Sequence, residues 1–208
     1  MAQSARDNRI SRRSWLMAGL AIPLLRLQAD EGLTVSFDGD NLHFTAPGLH
    51  FLTGKPLTRL KDADTVTFLS QITLFSDDQG TIFRRGLPER LVVSYDLWEE
   101  RFKVTIPGAS RSRSNLTALE AEAWAMENLA ISALGLAPDR PFWMRFELRA
   151  ASPKEMSRVM GDSGISLSGL VEILSRKPGV DDPYWMRSAG PLRLSDLPRT
   201  VARRGRIG

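Results

Sequence analysis

Between residues 33 and 106, apolar and polar positions alternate in short runs, and each run stops at turn chemistry. "LTVSFDGDNLHFTA" is two alternating runs around Asp38-Gly39-Asp40-Asn41, a β-hairpin pattern. "TVTFLSQITLF" sets Val66, Phe68, Ser70, Ile72 and Leu74 on one face, with mostly threonine and glutamine opposite. "SDDQG", residues 76–80, then turns the chain into "TIFRRG". "RLVVSYDLWEERFKVTIPG" predicts a strand over 91–95 and a return strand over 101–106, in which Phe102, Val104 and Ile106 alternate with polar partners. Alternation of this kind belongs to antiparallel sheet with one dry and one wet face.

The period then changes. "GASRSRSN" reads as a polar loop, after which Thr117-x-x-Glu120 is a capping box, each side chain placed to satisfy a free amide of the first helical turn. Leu119, Ala123, Met126, Ala130 and Leu134 follow near helical spacing, with Trp124 and Ile131 widening the stripe, and Gly135 and Pro138 stop it. The expectation is one long helix over 117–134 lying against a sheet. "PFWMRFELRA" returns to period two, with Phe142, Met144, Phe146 and Leu148 on one side and Trp143, Arg145, Glu147 and Arg149 on the other. Ser152-Pro153-Lys154-Glu155 predicts a short capped helix, and a second is expected over 168–175.

Together these elements predict a β-rich α+β fold: an antiparallel sheet or flattened sandwich with one long helix packed on it. The expected core is Val66, Phe68, Ile72, Leu74, Val93, Phe102, Val104, Met126, Phe142, Phe146 and Leu148. Residues 30–198 form a single domain on this reading, followed by a basic, flexible tail over 199–208. A chain of 208 residues buries about 70% of its unfolded surface, so the core needs no staples. None is offered, since the chain has no cysteine, which excludes disulfides, thiolate metal sites and a cysteine nucleophile.

Residues 1–29 depart from this pattern. "RDNRISRR" is a basic region, residues 15–25 are an apolar run, and "LQA", ending at Ala29, is a small-residue cleavage site. The run is shorter than the ~20 residues that span a bilayer, and Pro23 and Arg26 weigh against a permanent anchor. A removable signal peptide over 1–29 is therefore expected, leaving no stable transmembrane segment. "SRRSWLM", residues 11–17, resembles the twin-arginine export motif in its serine, in Arg12 and Arg13, and in Leu16, with Trp15 and Met17 departing from the usual phenylalanine and lysine. The resemblance implies that Arg12 and Arg13 are read by the export machinery and that the product is periplasmic or extracellular. Charge agrees with a separable label. Five arginines against Asp7 give this segment a net +4, equal to the whole chain's formal net charge, so the rest is neutral. A neutral body has no overall field to draw nucleic acid.

From Leu52 to Leu148 the order "FLTGKPLT…VTFLSQITLF…LVVSYDLWEERFKVT…helix…FELRA" resembles an uncharacterised family of exported bacterial proteins, with Tyr95 and the "WEERF" turn among the anchors. The resemblance spans roughly residues 52–150. It implies an envelope role, since some members are thought to be encoded beside sensor kinases, and it implies no particular chemistry.

The chemical candidates are thin. "GDSG", residues 161–164, matches a serine-protease nucleophile motif around Ser163, but Ile165 stands where that motif requires glycine. His43 and His50 are the only histidines, and no zinc spacing surrounds them. Glu99-Glu100, Asp77-Asp78 and Asp181-Asp182 are adjacent pairs whose side chains diverge, unlike the converging carboxylates of a glycosidase. No phosphate loop or dinucleotide fingerprint is present. No catalytic residue, cofactor or metal is assigned. One echo stands out: "PFWMR", residues 141–145, recurs as "PYWMR", residues 183–187. Two extended copies side by side would set Trp143, Arg145, Trp185 and Arg187 into one exposed patch, and Trp and Arg are enriched at interface hot spots. The reading is an exported cell-envelope protein that binds another protein or an envelope component without catalysis. Two alternatives stay open: an exported hydrolase using carboxylates or Ser163, and a cytosolic regulatory protein that keeps its N-terminal helix.

Overall fold

A computed structural model describes residues 32–161, 164–176 and 182–200. The expected hairpin is present as β1 (Thr34–Phe37) and β2 (Asn41–Thr45), followed by α1 (Gly54–Lys61). Next come β3 (Val66–Phe75), β4 (Ile82–Arg85), β5 (Glu89–Asp96), β6 (Arg101–Ile106) and β7 (Arg111–Leu116). The second half holds α2 (Ala118–Glu127), β8 (Ala130–Ser132), β9 (Phe142–Ala150), α3 (Pro153–Val159), β10 (Met160–Gly161), β11 (Gly164–Ile165), α4 (Leu167–Ser175) and β12 (Tyr184–Leu192). The fold is β-rich α+β, its sheet pairings antiparallel.

A seven-stranded sheet in the order β12-β9-β3-β5-β6-β7 dominates, with β4 sharing one side of β3 with β5. β3 is central because both of its faces carry residues suited to burial. Its apolar side, with Phe142, Met144, Phe146 and Leu148 of β9, meets the small sheet β1-β2-β8 and helices α1 and α2 in one core cluster. Phe44 lies 4.8 Å from Phe146, and Phe51 lies 4.9 Å from Phe68, ring centre to ring centre. All eleven core residues expected from the sequence are buried. Among the described residues, no helix is long and apolar enough to cross a membrane.

Four expectations need correction. The long helix over 117–134 is not formed. The capping box is, with Thr117 Oγ1 accepting from the Glu120 amide and Glu120 Oε2 from the Thr117 amide. However, α2 ends at Glu127, where the Asn128 side chain donates to the Trp124 carbonyl at 2.8 Å and occupies an acceptor at the helix end. Beyond it Leu129, Ile131 and Ala133 are buried with period two, and β8 pairs with β2. The buried face of α2 is Ala121, Glu122, Ala125 and Met126, while Leu119 and Leu134 of the expected stripe are exposed.

The polar "loop" after Gly108 is largely strand β7, because an edge strand pairs through its backbone and needs no apolar side chains. The second face of β3 is not wet: Leu69, Gln71, Thr73 and Phe75 are all buried. Around Leu69 the cover is a second, smaller cluster: Ala151 just after β9, Leu170 and Ile173 of α4, and Met156 of α3 packed against them. Both short helices lie where the sequence placed them, α3 with a reciprocal Ser152–Glu155 cap. Finally, the tail begins pinned: the Phe37 amide donates to the Pro198 carbonyl and the Thr200 amide to the Phe37 carbonyl, both at 3.0 Å. Residues 201–208 lie outside the described residues.

Candidate functional site

The two copies of the echo do lie side by side, as β9 and β12, but their register separates the four residues. Trp185 stands opposite Leu148, Arg187 opposite Phe146 and Ser188 opposite Arg145. Cross-strand partners share a face, so Trp185 and Arg187 join the core side while Trp143 and Arg145 take the outer side. No single patch of Trp143, Arg145, Trp185 and Arg187 exists. Trp185 packs on Phe68 and Phe51, at 6.0 and 6.3 Å between ring centres. The Arg187 guanidinium donates through Nη1 to the Met186 carbonyl at 3.0 Å and through Nη2 to the Gly48 carbonyl at 3.4 Å.

On the outer face Arg145 lies over the Phe75 ring, 4.7 Å from its centre, and Phe75 pairs with Trp143. A Cβ at Gly190 would collide with the Trp143 ring, and Gly190 also has φ +147, so only glycine suits that position. The Tyr184 hydroxyl donates to Glu147 Oε1 at 2.6 Å. Burial, and then that bond, push the Tyr184 phenol well above its ordinary value. Arg149, on the side of β9 opposite the core, is only 4% exposed. It donates to the Ile173 carbonyl at 2.8 Å, to Glu155 at 2.7 Å and to Asp182 at 3.1 Å, and so ties α3, α4 and the approach to β12 to the sheet.

The histidines are each held by a carboxylate. His43 Nε2 meets Asp38 Oδ2 at 2.8 Å, and Asp38 Oδ1 accepts from the amides of Asp40 and Asn41. The Asn41 amide and the His43 ring, in that order, hold the Asp38 carboxyl down at about 2. His50 Nδ1 meets buried Glu122 Oε2 at 3.0 Å, and Glu122 Oε1 accepts from the Leu52 amide at 2.7 Å. This pair borders a small pocket of about 170 Å³ that Leu49, Leu119 and Met126 also line. Among the described residues, no group of three or more His, Asp or Glu is placed to hold a metal ion.

Glu89 is the carboxyl that burial raises, in a cleft of about 260 Å³ with Ser70, Arg84 and Leu87. Among the described residues, Glu89 is the one carboxylate that lines that cleft. Asp77 caps its own turn through the Thr81 amide at 2.8 Å, and Asp182 is engaged with Arg149. Ser163, Asp181 and the export residues Arg12, Arg13, Leu16 and Ala29 lie outside the described residues.

A feature not singled out from the sequence is the tip of the β5–β6 hairpin. Trp98 is 96% exposed and Leu97 beside it 51%. The backbone beneath them is fixed. Asp96 Oδ1 accepts from the amides of Trp98 at 2.9 Å and Glu99 at 3.0 Å, which lowers its pKa, and Glu100 takes the left-handed conformation with φ 52. Tyr95 and Phe102, a cross-strand pair next to the turn, pack with ring centres 4.8 Å apart and planes tilted by 52°. The signal was available in "DLWEE": an aspartate-led turn with two large apolar residues where turns normally carry polar ones. No family model, curated protein or solved structure is similar enough to this chain to count as a match.

Proposed function

We propose that this protein is an exported cell-envelope protein, periplasmic or extracellular after loss of residues 1–29, that works by binding another protein or an envelope component. The observation that carries the binding reading is the Leu97–Trp98 tip. The backbone that carries the exposed Trp98 ring is fixed on an Asp96-capped turn, so little backbone ordering entropy is lost when the ring is covered. Tryptophan burial dominates many interfaces, each such residue accounting for about 2 kcal/mol or more when truncated. The acidic neighbours Asp96, Glu99 and Glu100 suit an apolar pocket rimmed by basic groups on the partner. Export rests on the twin-arginine-like "SRRSWLM" and on the concentration of excess charge before residue 30.

A photo-crosslinking residue at position 98, in a C-terminally tagged chain expressed in its native host, tests both halves. The expected result is a chain starting near Asp30 and a single adduct to an envelope component. The adduct should be absent when the probe sits at exposed Glu127, and Trp98→Ala should weaken binding of the purified partner about tenfold or more. A full-length chain in the cytosol would overturn export. Equal labelling from positions 98 and 127 would overturn the binding role of the tip.

A further inference from the structure

The sheet edges differ in how they are protected. β7 is six residues long and carries Arg111 and Arg113, β4 is four residues long, and β1 is covered by residues 198–200. Charge, shortness and cover are the usual ways of blunting an edge. Along Tyr184–Ala189 β12 is protected least: among the described residues it pairs with β9 alone, it is nine residues long, and its one charged side chain, Arg187, lies on the core side of the sheet.

The phase of its hydrogen bonds can be derived. The Ala150 amide donates to the Pro183 carbonyl, and Pro183 and Ala150 continue the register in which Tyr184 faces Arg149. Antiparallel pairs alternate between bonded and unbonded, so Trp185, Arg187 and Ala189 bond to β9. Tyr184, Met186 and Ser188 therefore turn their N–H and C=O groups to the open edge. The Arg187 side chain confirms this phase, because its Nη1 reaches the outward Met186 carbonyl. That guanidinium is poorly satisfied: Nη2 reaches the Gly48 carbonyl only at 3.4 Å, Nε is buried without a partner, and no carboxylate pairs with it among the described residues.

From this edge and this cation together we infer that β12 receives an extended acidic peptide as an added strand. Its backbone bonds to Tyr184, Met186 and Ser188. The peptide residue opposite Arg187 shares the face of the guanidinium and is Asp or Glu, which forms a charge-assisted bond there. The residues on either side of it fall on the outer face beside exposed Met186 and are apolar. Backbone bonds supply the general affinity of such a site, and the alternating side chains supply its selectivity. The site is separate from the Trp98 tip and stands or falls without it.

Two fluorescein-labelled octapeptide libraries test the proposal, one with a central Glu between randomised flanks and one with Gln in its place. Fluorescence polarisation should show the Glu library bound about tenfold more tightly. Arg187→Gln should erase the preference. Met186→Pro should abolish binding of both libraries, since it removes an outward N–H and no bond to β9. Trp98→Ala should change nothing. Hydrogen exchange on the unaltered chain gives a readout that needs no variant to fold. Amides of Tyr184, Met186 and Ser188 should exchange freely while those of Trp185, Arg187 and Ala189 are protected, and the Glu library should slow the first three. Equal affinity for the two libraries, no binding at millimolar peptide, or exchange without that alternation would each overturn the inference. So would a dimer in sedimentation that Met186→Pro dissolves, because a second copy would then be the occupant.

Discussion

On one side of the large sheet, β9 buries Phe142, Met144, Phe146 and Leu148 beneath a second sheet and two helices; on the other it carries Trp143, Arg145, Glu147 and Arg149, of which only Arg149 is fully buried. The first side is held by apolar area spread over some thirty residues. The second is held by a four-residue cluster and one arginine bonded to three partners from separate segments. A contact trimmed from the shared core is felt by every element packed on it, whereas loss of the charge clamp releases only the cover that it ties down. The core side therefore sets global stability, and the outer side sets whether α3 and α4 stay docked.

The comparison can be broken most forcefully from the core. Phe146→Ala should destabilise the whole domain by about 3–5 kcal/mol in urea unfolding, as cavity-forming truncations of buried aromatics do. Arg149→Met should cost less, about 2 kcal/mol, because Glu155 and Asp182 retain access to water once their partner is gone. Its effect should also be local, with α4 amides exchanging faster while those of β3 keep the protection allowed by the remaining global stability. Thr117→Ala removes one half of the α2 capping box and should cost about 1 kcal/mol, read as a lower melting temperature. Acid gives the smallest effect. Asp38 has its pKa depressed from 3.8 to about 2, so its contribution is present above pH 3.8 and is lost as pH falls through about 2. Asp38→Asn should flatten that part of the stability–pH curve in urea titrations between pH 4.5 and 2.

Where a segment's own residues decide its state, the sequence was readable. The β1–β2 hairpin announced itself by Asp38-Gly39, β9 by unbroken alternation, and α3 by Ser152 and Glu155. The failures are non-local. Leu129, Ile131 and Ala133 fit a helical stripe as well as a strand, and only the Asn128 closure and the pairing with β2 decide between them. β7 has almost no apolar residue to betray it, since its partner is the backbone of β6. The inward turn of Trp185 and Arg187 depends on register, and a shift of one residue would have sent them outward. The Trp98 tip lay in plain view but was read as an anchor of resemblance, and its exposure only became clear once the hairpin stood clear of the core.

The pinning of Pro198–Thr200 beside Phe37 sets an order of assembly. β1 is the first described strand to be made, and its flank is closed by the last described residues. β3 likewise waits about seventy residues for β9, and β9 in turn for β12. Closure over such long separations in sequence places the domain among slow folders. During synthesis β3, buried on both faces in the finished fold, lacks its β9 partner and the α4 cover until most of the chain has emerged, so a truncation before residue 142 would leave an aggregating fragment rather than a smaller domain.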